Sequence, residues 1–253
     1  MILIDFTQIA IGSLMVALNR SGEDVDDALI RHLVLNNLRY YRSKFTEEYG
    51  ELVICCDSKH YWRRDYFPHY KANRKKDRAS SGYDWNFIFE SLNSVRDEIK
   101  THFPYKVLEI YGAEADDIIA TLVKSNDGDA PNLIVSSDKD FIQLHGYNVK
   151  QYSPVSKKLL NGSDPVGYLR EHIFKGDRSD GVPNVLSADD TFVAEKRQKP
   201  MRKTTLATLT EAMNTSDAID LHNLAKCPRD TWIRNYQRNE TLIDLTKIPN
   251  DIE

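Results

Sequence analysis

Several features that would assign a chain to a known class are scarce or missing in this sequence of 253 residues. Its three cysteines, two of them the adjacent Cys55 and Cys56, provide neither a disulfide framework nor the spacing of a zinc site. No apolar run approaches the ~20 residues that cross a bilayer. The chain opens with an apolar run at Met1 and carries no basic region of a signal peptide. We therefore expect a reduced, cytoplasmic protein that does not bind membranes.

Glycine-rich loops and repeats are missing as well. The 11 glycines form no phosphate-binding loop of the P-loop or Rossmann type, which weakens any interpretation as a nucleotide-cofactor enzyme. The chain has no internal repeat, no coiled-coil heptads and no low-complexity segment. A hydrophobic content of 41% and a charged content of 28% are those of a globular protein. The length suits one large domain, or one domain with a small appendage.

The most informative feature that is present is a set of carboxylates that follow apolar runs. Four short runs, starting at Met1, Leu52, Val107 and Leu133, are typical of buried strands in a parallel sheet with helices between them. Ligands bind beyond the carboxyl ends of such strands. The acids that fall there are Asp5, Asp57, Glu114, Asp116, Asp117, Asp138 and Asp140.

Like charges crowded at one edge of a sheet repel one another and raise one another's pKa values. A hard divalent cation such as Mg²⁺ removes that conflict, because it takes oxygen ligands from several carboxylates at once. An Asp after a strand can also be an N-cap or turn residue, but capping does not require an acid at every strand end. The pattern therefore predicts a metal site, and one that holds two ions.

Basic residues are concentrated in two short segments, although the formal net charge is −4. The total charge argues against a nucleic-acid partner, but local patches determine where a phosphate backbone binds. The acids that offset these patches include the predicted metal ligands, which bound cations would neutralise. The predicted nucleic-acid-binding residues are Arg63, Arg64, Lys75 and Lys76 in the first segment, and Lys196, Arg197, Lys199, Arg202 and Lys203 in the second.

Hydrophobic periodicity predicts the elements between the strands. Residues 58–83 are basic and aromatic, and they show no clear apolar periodicity. A long insertion at an active-site edge is more often functional than an ordinary connector; the alternative is a solvated loop or a mobile surface helix. The other expected elements are helices over 24–45, 85–102, 115–124 and 139–144, a strand near 149–152 and a helical, polar C-terminal part.

Five motifs stand out along the chain: Ile4-Asp5-Phe6, Tyr70-Lys71-Ala72-Asn73-Arg74, Glu114-Ala115-Asp116-Asp117, Ser137-Asp138-Lys139-Asp140-Phe141 and Gly176-Asp177-Arg178-Ser179-Asp180. Their order and spacing resemble the 5′ nuclease superfamily, which comprises flap endonucleases, the 5′ nuclease domain of bacterial DNA polymerase I and phage 5′ exonucleases. The likeness spans essentially the whole chain. Within the superfamily it is greatest to the ribonuclease H enzymes of T-even bacteriophages.

The resemblance implies an α/β fold whose central, mainly parallel sheet lies in residues 1–160, with a helical arch inserted at about 58–83. Residues 161–253 would form a helical region, and the loop at 176–183 would begin a helix-two-turn-helix element that grips duplex DNA. The acids that match the ligands of a first metal ion are Asp5, Asp57, Glu114, Asp116 and Asp138, and those that match the surroundings of a second are Asp140, Asp177 and Asp180.

The resemblance also implies roles for two basic residues of the insertion, and an adjacent tyrosine has a predicted role of its own. Lys71 and Arg74 match the basic pair at the foot of the arch, which contacts the scissile phosphate. Tyr70 lies between them and the aromatic part of the insertion. Its own chemistry, and that of Tyr66, suits a stacking platform for a splayed terminal base, with packing as the alternative for Tyr66.

The function that the resemblance implies is a Mg²⁺-dependent 5′→3′ exonuclease and flap endonuclease with ribonuclease H activity, which removes RNA primers during lagging-strand replication. Mn²⁺ is expected to substitute for the two Mg²⁺ ions. The expected partners are DNA and RNA–DNA duplexes with a free 5′ end or flap, together with single-strand-binding protein and other replication proteins. We expect a monomer, in the host-cell cytoplasm if a phage encodes it.

Two alternatives stay open at this stage. One is a different Mg²⁺ phosphohydrolase, since aspartates also cluster at strand ends in such enzymes; a small phosphorylated substrate, however, has no use for a basic insertion. The other is a non-catalytic protein of the same fold that binds DNA structures. The complete set of expected acids gives that second alternative no support.

Overall fold

The computed structural model describes residues 1–21, 25–126, 128 and 130–252. Its strands form one sheet in the order β3-β2-β1-β4-β5-β6, in which the first five run parallel and β6 is antiparallel to β5. The predicted α/β class with a mainly parallel sheet is confirmed, whereas the edge strand β6 was not predicted. The strands are β1 (Ile2–Asp5), β2 (Leu52–Cys56), β3 (Lys106–Glu109), β4 (Asn132–Val135), β5 (Val149–Ser153) and β6 (Lys158–Leu160).

Helices connect these strands and make up most of the C-terminal part. Two 3-10 helices, at Asp140–Gly146 and Ala218–His222, accompany them. The first of these replaces the α-helix predicted over 139–144. The α-helices are α1 (Phe6–Ser21), α2 (Asp27–Tyr49), α3 (Trp62–Tyr66), α4 (Asn73–Ser80), α5 (Trp85–His102), α6 (Ala115–Ser125), α7 (Pro165–Lys175), α8 (Lys203–Ala212) and α9 (Arg229–Ile243).

The connection between β1 and β2 differs from the prediction of a single helix over residues 24–45. It contains two helices, of which α1 begins directly after β1, because Oδ1 of Asp5 accepts a hydrogen bond from the Gln8 N–H and so caps the first turn. The second helix, α2, begins after Asp26, whose side chain accepts from the Leu29 N–H. Residue 24, the predicted start, lies outside the described residues.

The chain divides into two compact units. The first comprises residues 1–61, 83–161 and 250–253, and the second comprises residues 62–82 and 162–249. In the first unit, β1, β2 and β4 are buried on both faces, as parallel strands covered by helices should be. The core of this unit is completed by apolar residues of α1, α2 and α5. The boundary at 160/161 stays a prediction.

In the second unit, α9 contributes seven buried residues to the interior. The Trp232 ring is fully buried, stacks with Phe174 at 5.8 Å and donates from Nε1 to the Ala218 carbonyl. Residues 176–202, between α7 and α8, form turns rather than helices. Buried side chains of α9 hold this segment: Asn235 donates to the carbonyls of Val185 and Ser187. The helix-two-turn-helix element stays a prediction.

The insertion at 58–83 contains more regular structure than its sequence indicated. It includes the short helices α3 and α4, and Phe67 and Tyr70 are 5% and 3% exposed. Helix α4 buries none of its residues and lies on the surface, and the predicted arch stays a prediction. Among the described residues, no helix is both long and apolar enough to cross a membrane.

Candidate active site

Acidic side chains meet at the carboxyl end of the sheet in the first unit. Asp5 ends β1, Asp57 follows β2 and Asp138 follows β4, and these three strands are neighbours in the sheet. The pKa of Asp5 is raised to about 7, first by burial and then by the charges of Asp57 and Asp138, which together outweigh the lowering effect of a Ser136 hydrogen bond. The predicted convergence of strand-end acids is therefore present.

The second part of this cluster comes from the start of α6. Asp57 Oδ1 accepts a hydrogen bond from the Ala115 N–H at 2.9 Å, which ties the end of β2 to the first turn of the helix. Glu114 precedes that turn and is 2% exposed. After burial and the neighbouring Cys56, the charges of three carboxylates, Asp5, Asp116 and Asp57, raise the pKa of the Cys55 thiol. Asp116 therefore lies with the strand-end acids.

Asp117 has a different position from the other predicted ligands. It is 1% exposed, and its Oδ2 accepts a hydrogen bond from the Glu114 N–H at 3.0 Å, the reciprocal half of a helix-capping arrangement. Its side chain lines a cavity of about 160 Å³ together with Leu108, Ile118 and Ile252. The structure thus gives Asp117 a capping role, and its role as a metal ligand stays a prediction.

The loop after β4 is held by buried polar side chains. Gln151 on β5 is fully buried, and its Nε2 donates to the carbonyls of Ser136 and Asp138 at 3.0 and 2.5 Å. Its Oε1 pairs with Nε2 of His145 at 3.0 Å. Asp138 Oδ1 in turn accepts the Asp140 N–H at 2.9 Å, which begins the 3-10 helix. These bonds fix the direction of the Asp138 side chain.

The chemistry of this donor set fits a hard divalent cation. The side chains offer carboxylate oxygens from strand ends and from the N-terminus of one helix, the donors that Mg²⁺ and Mn²⁺ prefer. Burial and then the charge of Asp57 raise the pKa of Asp5, and the positive charge of a bound cation would lower it instead. The roles of Asp140, Asp177 and Asp180 around a second ion stay predictions from the motifs.

In the second unit, Asp177 and Asp180 belong to one tight turn. Oδ1 of Asp177 accepts hydrogen bonds from the N–H groups of Ser179 and Asp180 and from the Ser179 hydroxyl. Its Oδ2 lies 3.3 Å from Nε2 of His172. Burial acts to raise the pKa of Asp177, but the hydrogen bonds from His172 and Ser179 outweigh it and leave that pKa below its ordinary value.

The basic motif of the insertion packs on this turn. Asp180 Oδ1 accepts from Nη2 of Arg74 at 2.5 Å, and its Oδ2 accepts from the Tyr70 hydroxyl at 2.8 Å and lies 3.5 Å from Nζ of Lys71. The Lys71 N–H donates to the Asp180 carbonyl at 2.7 Å, with Lys71 at a left-handed φ of 56°. Only glycine fits at position 181, where a Cβ would lie 2.9 Å from the His69 carbonyl oxygen.

Two predictions for the insertion need correction. Tyr70 is 3% exposed and holds Asp180, so it orients the basic pair and cannot present a ring face to a base; Tyr66, 50% exposed, still can. Arg63 is 2% exposed and its Nε donates to the Leu242 carbonyl, so it stabilises the second unit instead of binding DNA.

The other predicted DNA-binding residues are exposed. Lys76 pairs with Glu195, and Lys196 pairs with Asp190 at 2.7 Å. The backbone of Lys199 is anchored, because its N–H donates to Ser187 and its carbonyl accepts from Asn184. The exposed residues are Arg64, Lys75, Lys76, Lys196, Arg197, Lys199, Arg202 and Lys203.

Sequence reasoning missed the residues that orient the acids. Ser136 is fully buried, donates to Asp5 Oδ2 at 2.9 Å and accepts the Asp138 N–H at 3.1 Å. Gln151 likewise holds the carbonyl of Asp138, and His172 holds the side chain of Asp177. The polar pair Ser136-Ser137 directly after an apolar strand was a signal that could have found the first of these residues. Nothing local in the sequence marks Gln151 or His172.

Comparison with known proteins agrees with this geometry. Residues 19–167 match the family model described as the 5′-3′ exonuclease, N-terminal resolvase-like domain. The chain is 38% identical over 260 aligned positions to ribonuclease H of Enterobacteria phage T4, covering 99% of this chain and 82% of that protein. It is 28% identical over 194 positions to the flap endonuclease Xni of Shewanella sp. strain MR-4, covering 73% of this chain and 69% of the relative.

Solved structures share the fold. The bacteriophage T5 flap endonuclease in a complex with DNA and metal ions superposes with a TM-score of 0.71 at 17% identity, covering 99% of this chain and 94% of that one. The T5 5′-exonuclease with bound zinc gives a TM-score of 0.67 at 17% identity, covering 100% and 94%. Together, the family match and the T4 relative establish that this chain is a nuclease and belongs to the 5′-3′ exonuclease family.

Proposed function

We propose that the chain is a divalent-metal-dependent 5′→3′ exonuclease and flap endonuclease with ribonuclease H activity, which hydrolyses phosphodiesters at the 5′ ends of RNA–DNA and DNA duplexes. The observation that carries this proposal is the convergence of Asp5, Asp57, Asp116 and Asp138 on one sheet edge, with the pKa of Asp5 raised to about 7. Relatives named ribonuclease H and flap endonuclease support the substrate class.

The acids at the sheet edge, with Glu114, would hold the divalent ions, which we take to be two Mg²⁺ with Mn²⁺ as a substitute. When bound, these ions would supply a more acidic water and charge relief on the phosphoryl and leaving oxygens. The chain contributes the preorganisation: Ser136 directs Asp5, and the Gln151 amide holds the Asp138 peptide. No side chain then needs to act as a dedicated base.

The basic pair of the insertion would add charge stabilisation at the scissile phosphate. Asp180 holds the Arg74 guanidinium and the Lys71 ammonium at 2.5 and 3.5 Å, so both cations are positioned before any substrate arrives. Positive groups aimed in advance at developing negative charge lower the barrier without reorganisation during the reaction. The Tyr70 hydroxyl shares the Asp180 carboxylate and fixes its rotamer.

The biological role that fits this chemistry is removal of RNA primers and 5′ flaps during lagging-strand synthesis, in the cytoplasm of the host cell if a phage encodes the chain. We propose that it acts as a monomer beside single-strand-binding protein and other replication proteins. A co-sedimentation assay with purified single-strand-binding protein tests the partner, and sedimentation of the protein alone tests the oligomeric state.

A single set of cleavage assays tests the activity. The substrates are a 5′-labelled flap, a nicked duplex, an RNA–DNA hybrid and a closed circular duplex, each incubated with and without Mg²⁺. We expect Mg²⁺-dependent release of 5′ products from the first three and an intact closed circle. Cleavage of the closed circle at a similar rate would contradict the requirement for a free 5′ end. Absence of metal-dependent cleavage on every substrate would support a non-catalytic binder.

A further inference from the structure

An exposed aromatic pair lies beside the acidic cluster in the first unit. The rings of His60 and Tyr111 stack with centroids 5.6 Å apart and planes 25° from parallel. Tyr111 is 79% exposed, more than the other large hydrophobic residues recorded as exposed in the described part of the chain. Single exposed apolar side chains are common in proteins. A stacked pair at the mouth of a catalytic edge, however, calls for a specific explanation.

Both members of the pair are close to proposed metal ligands. His60 is three residues after Asp57, and Tyr111 is three residues before Glu114. Three residues span at most about 11 Å between Cα atoms. Because successive nucleotides of a stacked strand are about 3.4 Å apart, the pair lies within a few nucleotides of a phosphate bound at the acids.

Backbone contacts fix the two loops that carry the rings. A parallel bridge joins Tyr61 to Gly112, and the Ser58 N–H donates to the Ala113 carbonyl at 3.0 Å, so the two loops run side by side. Gly112 has a φ of +86°, and a Cβ at this position would lie 2.6 Å from Cδ1 of Ile252. Ile252 thus packs against the turn that presents Tyr111. A rigid platform loses little entropy when a ligand stacks on it.

We propose that the His60–Tyr111 pair is a stacking site for one unpaired nucleobase of the substrate strand, close to the cleaved phosphate. Aromatic faces accept any base, because every base offers a π-face, and such sites usually combine rings with nearby cations. Lys59 is exposed and precedes His60 in the chain, and it would supply that cation. This pair, and not the buried ring of Tyr70, would then be the stacking platform for a base.

This inference rests on the proposed nuclease function, and the test separates the two. The full chain is mixed, without divalent ions, with 5′-flap duplexes that carry 2-aminopurine at one position at a time around the junction. Stacking should quench the fluorescence at one or two adjacent positions. The quench should persist in Tyr111→Phe and be lost in Tyr111→Leu and Tyr111→Ala, and Tyr111→Ala should bind about tenfold more weakly, the loss expected for one base–aromatic stack.

A thermodynamic cycle provides the control. On a flap with an abasic site at the quenched position, the wild-type chain and Tyr111→Ala should bind equally well. Equal melting temperatures of the Tyr111 variants, expected for so exposed a side chain, would exclude a folding defect. Retained binding in Tyr111→Leu, or a quench that does not depend on Tyr111, would overturn the proposal. Failure of the wild-type chain to cleave the same flap with Mg²⁺ would instead reject the nuclease function.

Discussion

The hydroxyl of Ser136 donates a hydrogen bond of 2.9 Å to Oδ2 of Asp5, at the carboxyl edge of the central sheet. Oγ of Ser136 also accepts a hydrogen bond from the Asp138 N–H, so this one buried hydroxyl links two of the proposed metal ligands. Such supporting bonds around metal ligands commonly change metal affinity about 10- to 100-fold when they are removed.

Ser136→Ala is therefore expected to raise the Mg²⁺ concentration needed for half-maximal cleavage about tenfold. It should also lower the melting temperature, because a buried carboxylate oxygen and a buried N–H lose their partner. Ser137→Ala is the matched control: this hydroxyl pairs with that of Ser153 and does not orient Asp5. The same metal requirement in both variants would contradict the positioning role.

The buried carboxyl of Asp5 should make the stability of the metal-free protein depend on pH. Its pKa is raised from an ordinary value of 3.8 to about 7, first by burial and then by the charge of Asp57. The folded state therefore retains a proton that the unfolded chain releases. This contribution to stability is full below about pH 4 and is lost as the pH rises through about 7.

We expect the melting temperature of the metal-free wild-type protein to fall between pH 5 and pH 8 more steeply than that of Asp5→Asn, and the variant to be the more stable at pH 8. Added Mg²⁺ should reduce the difference, because it binds the ionised carboxylate only in the wild-type chain. Parallel melting curves for the two proteins across this pH range would argue against the crowded cluster.

Removing one oxygen ligand should abolish most cleavage and leave the fold intact. We expect Asp116→Asn and Asp138→Asn each to reduce the cleavage rate at saturating flap DNA by about a hundredfold or more at low millimolar Mg²⁺. Loss of a group that only supports a metal ligand already reduces metal affinity or activity about 10- to 100-fold. Glu90→Gln, an exposed acid on α5, should cleave like the wild type. Full activity of either Asp variant would remove that residue from the metal site.

Lys71→Ala should slow cleavage far more than it weakens binding. The Lys71 side chain is only 11% exposed and is held by Asp180, which suits a group that acts on the transition state. Single-turnover rates should fall about a hundredfold, as for other preorganised charge-stabilising groups. Lys75→Ala, on the exposed surface of α4, is the control and should affect mainly binding. If the two variants changed binding and rate equally, Lys71 would have no special role in the transition state.

Salt dependence should distinguish the basic residues of the second segment. Lys199→Ala is expected to weaken duplex binding and to reduce the slope of log K against log salt by about 0.9, the value for one phosphate contact. Lys196→Ala should have a smaller effect, because Asp190 already neutralises that ammonium at 2.7 Å. Titrations at several salt concentrations check both, and an unchanged slope for Lys199→Ala would remove it from the DNA-binding surface.

Much of the catalytic chemistry could be predicted from the sequence because it depends on strand order and chain direction. Asp5, Asp57 and Asp138 each follow an apolar run, and parallel strands place their carboxyl ends on one edge, so the convergence follows from pattern alone. The same logic predicted the mainly parallel sheet. It failed for α1 and β6, because α1 follows β1 without a connecting loop and β6 has only three residues, so neither element has a clear boundary in the hydrophobic pattern.

Tertiary structure decided which charged side chains are available to ligands. Asp116 and Asp117 are adjacent in sequence, yet a rotation of about 100° per helical residue takes one to the acid cluster and the other into a cap. Arg63 and Arg64 are likewise adjacent, and only the second is exposed. Burial, pKa and stacking depend on neighbours that are distant in sequence, such as Leu242 for Arg63 or Tyr111 for His60. Composition and local spacing carry no record of these contacts.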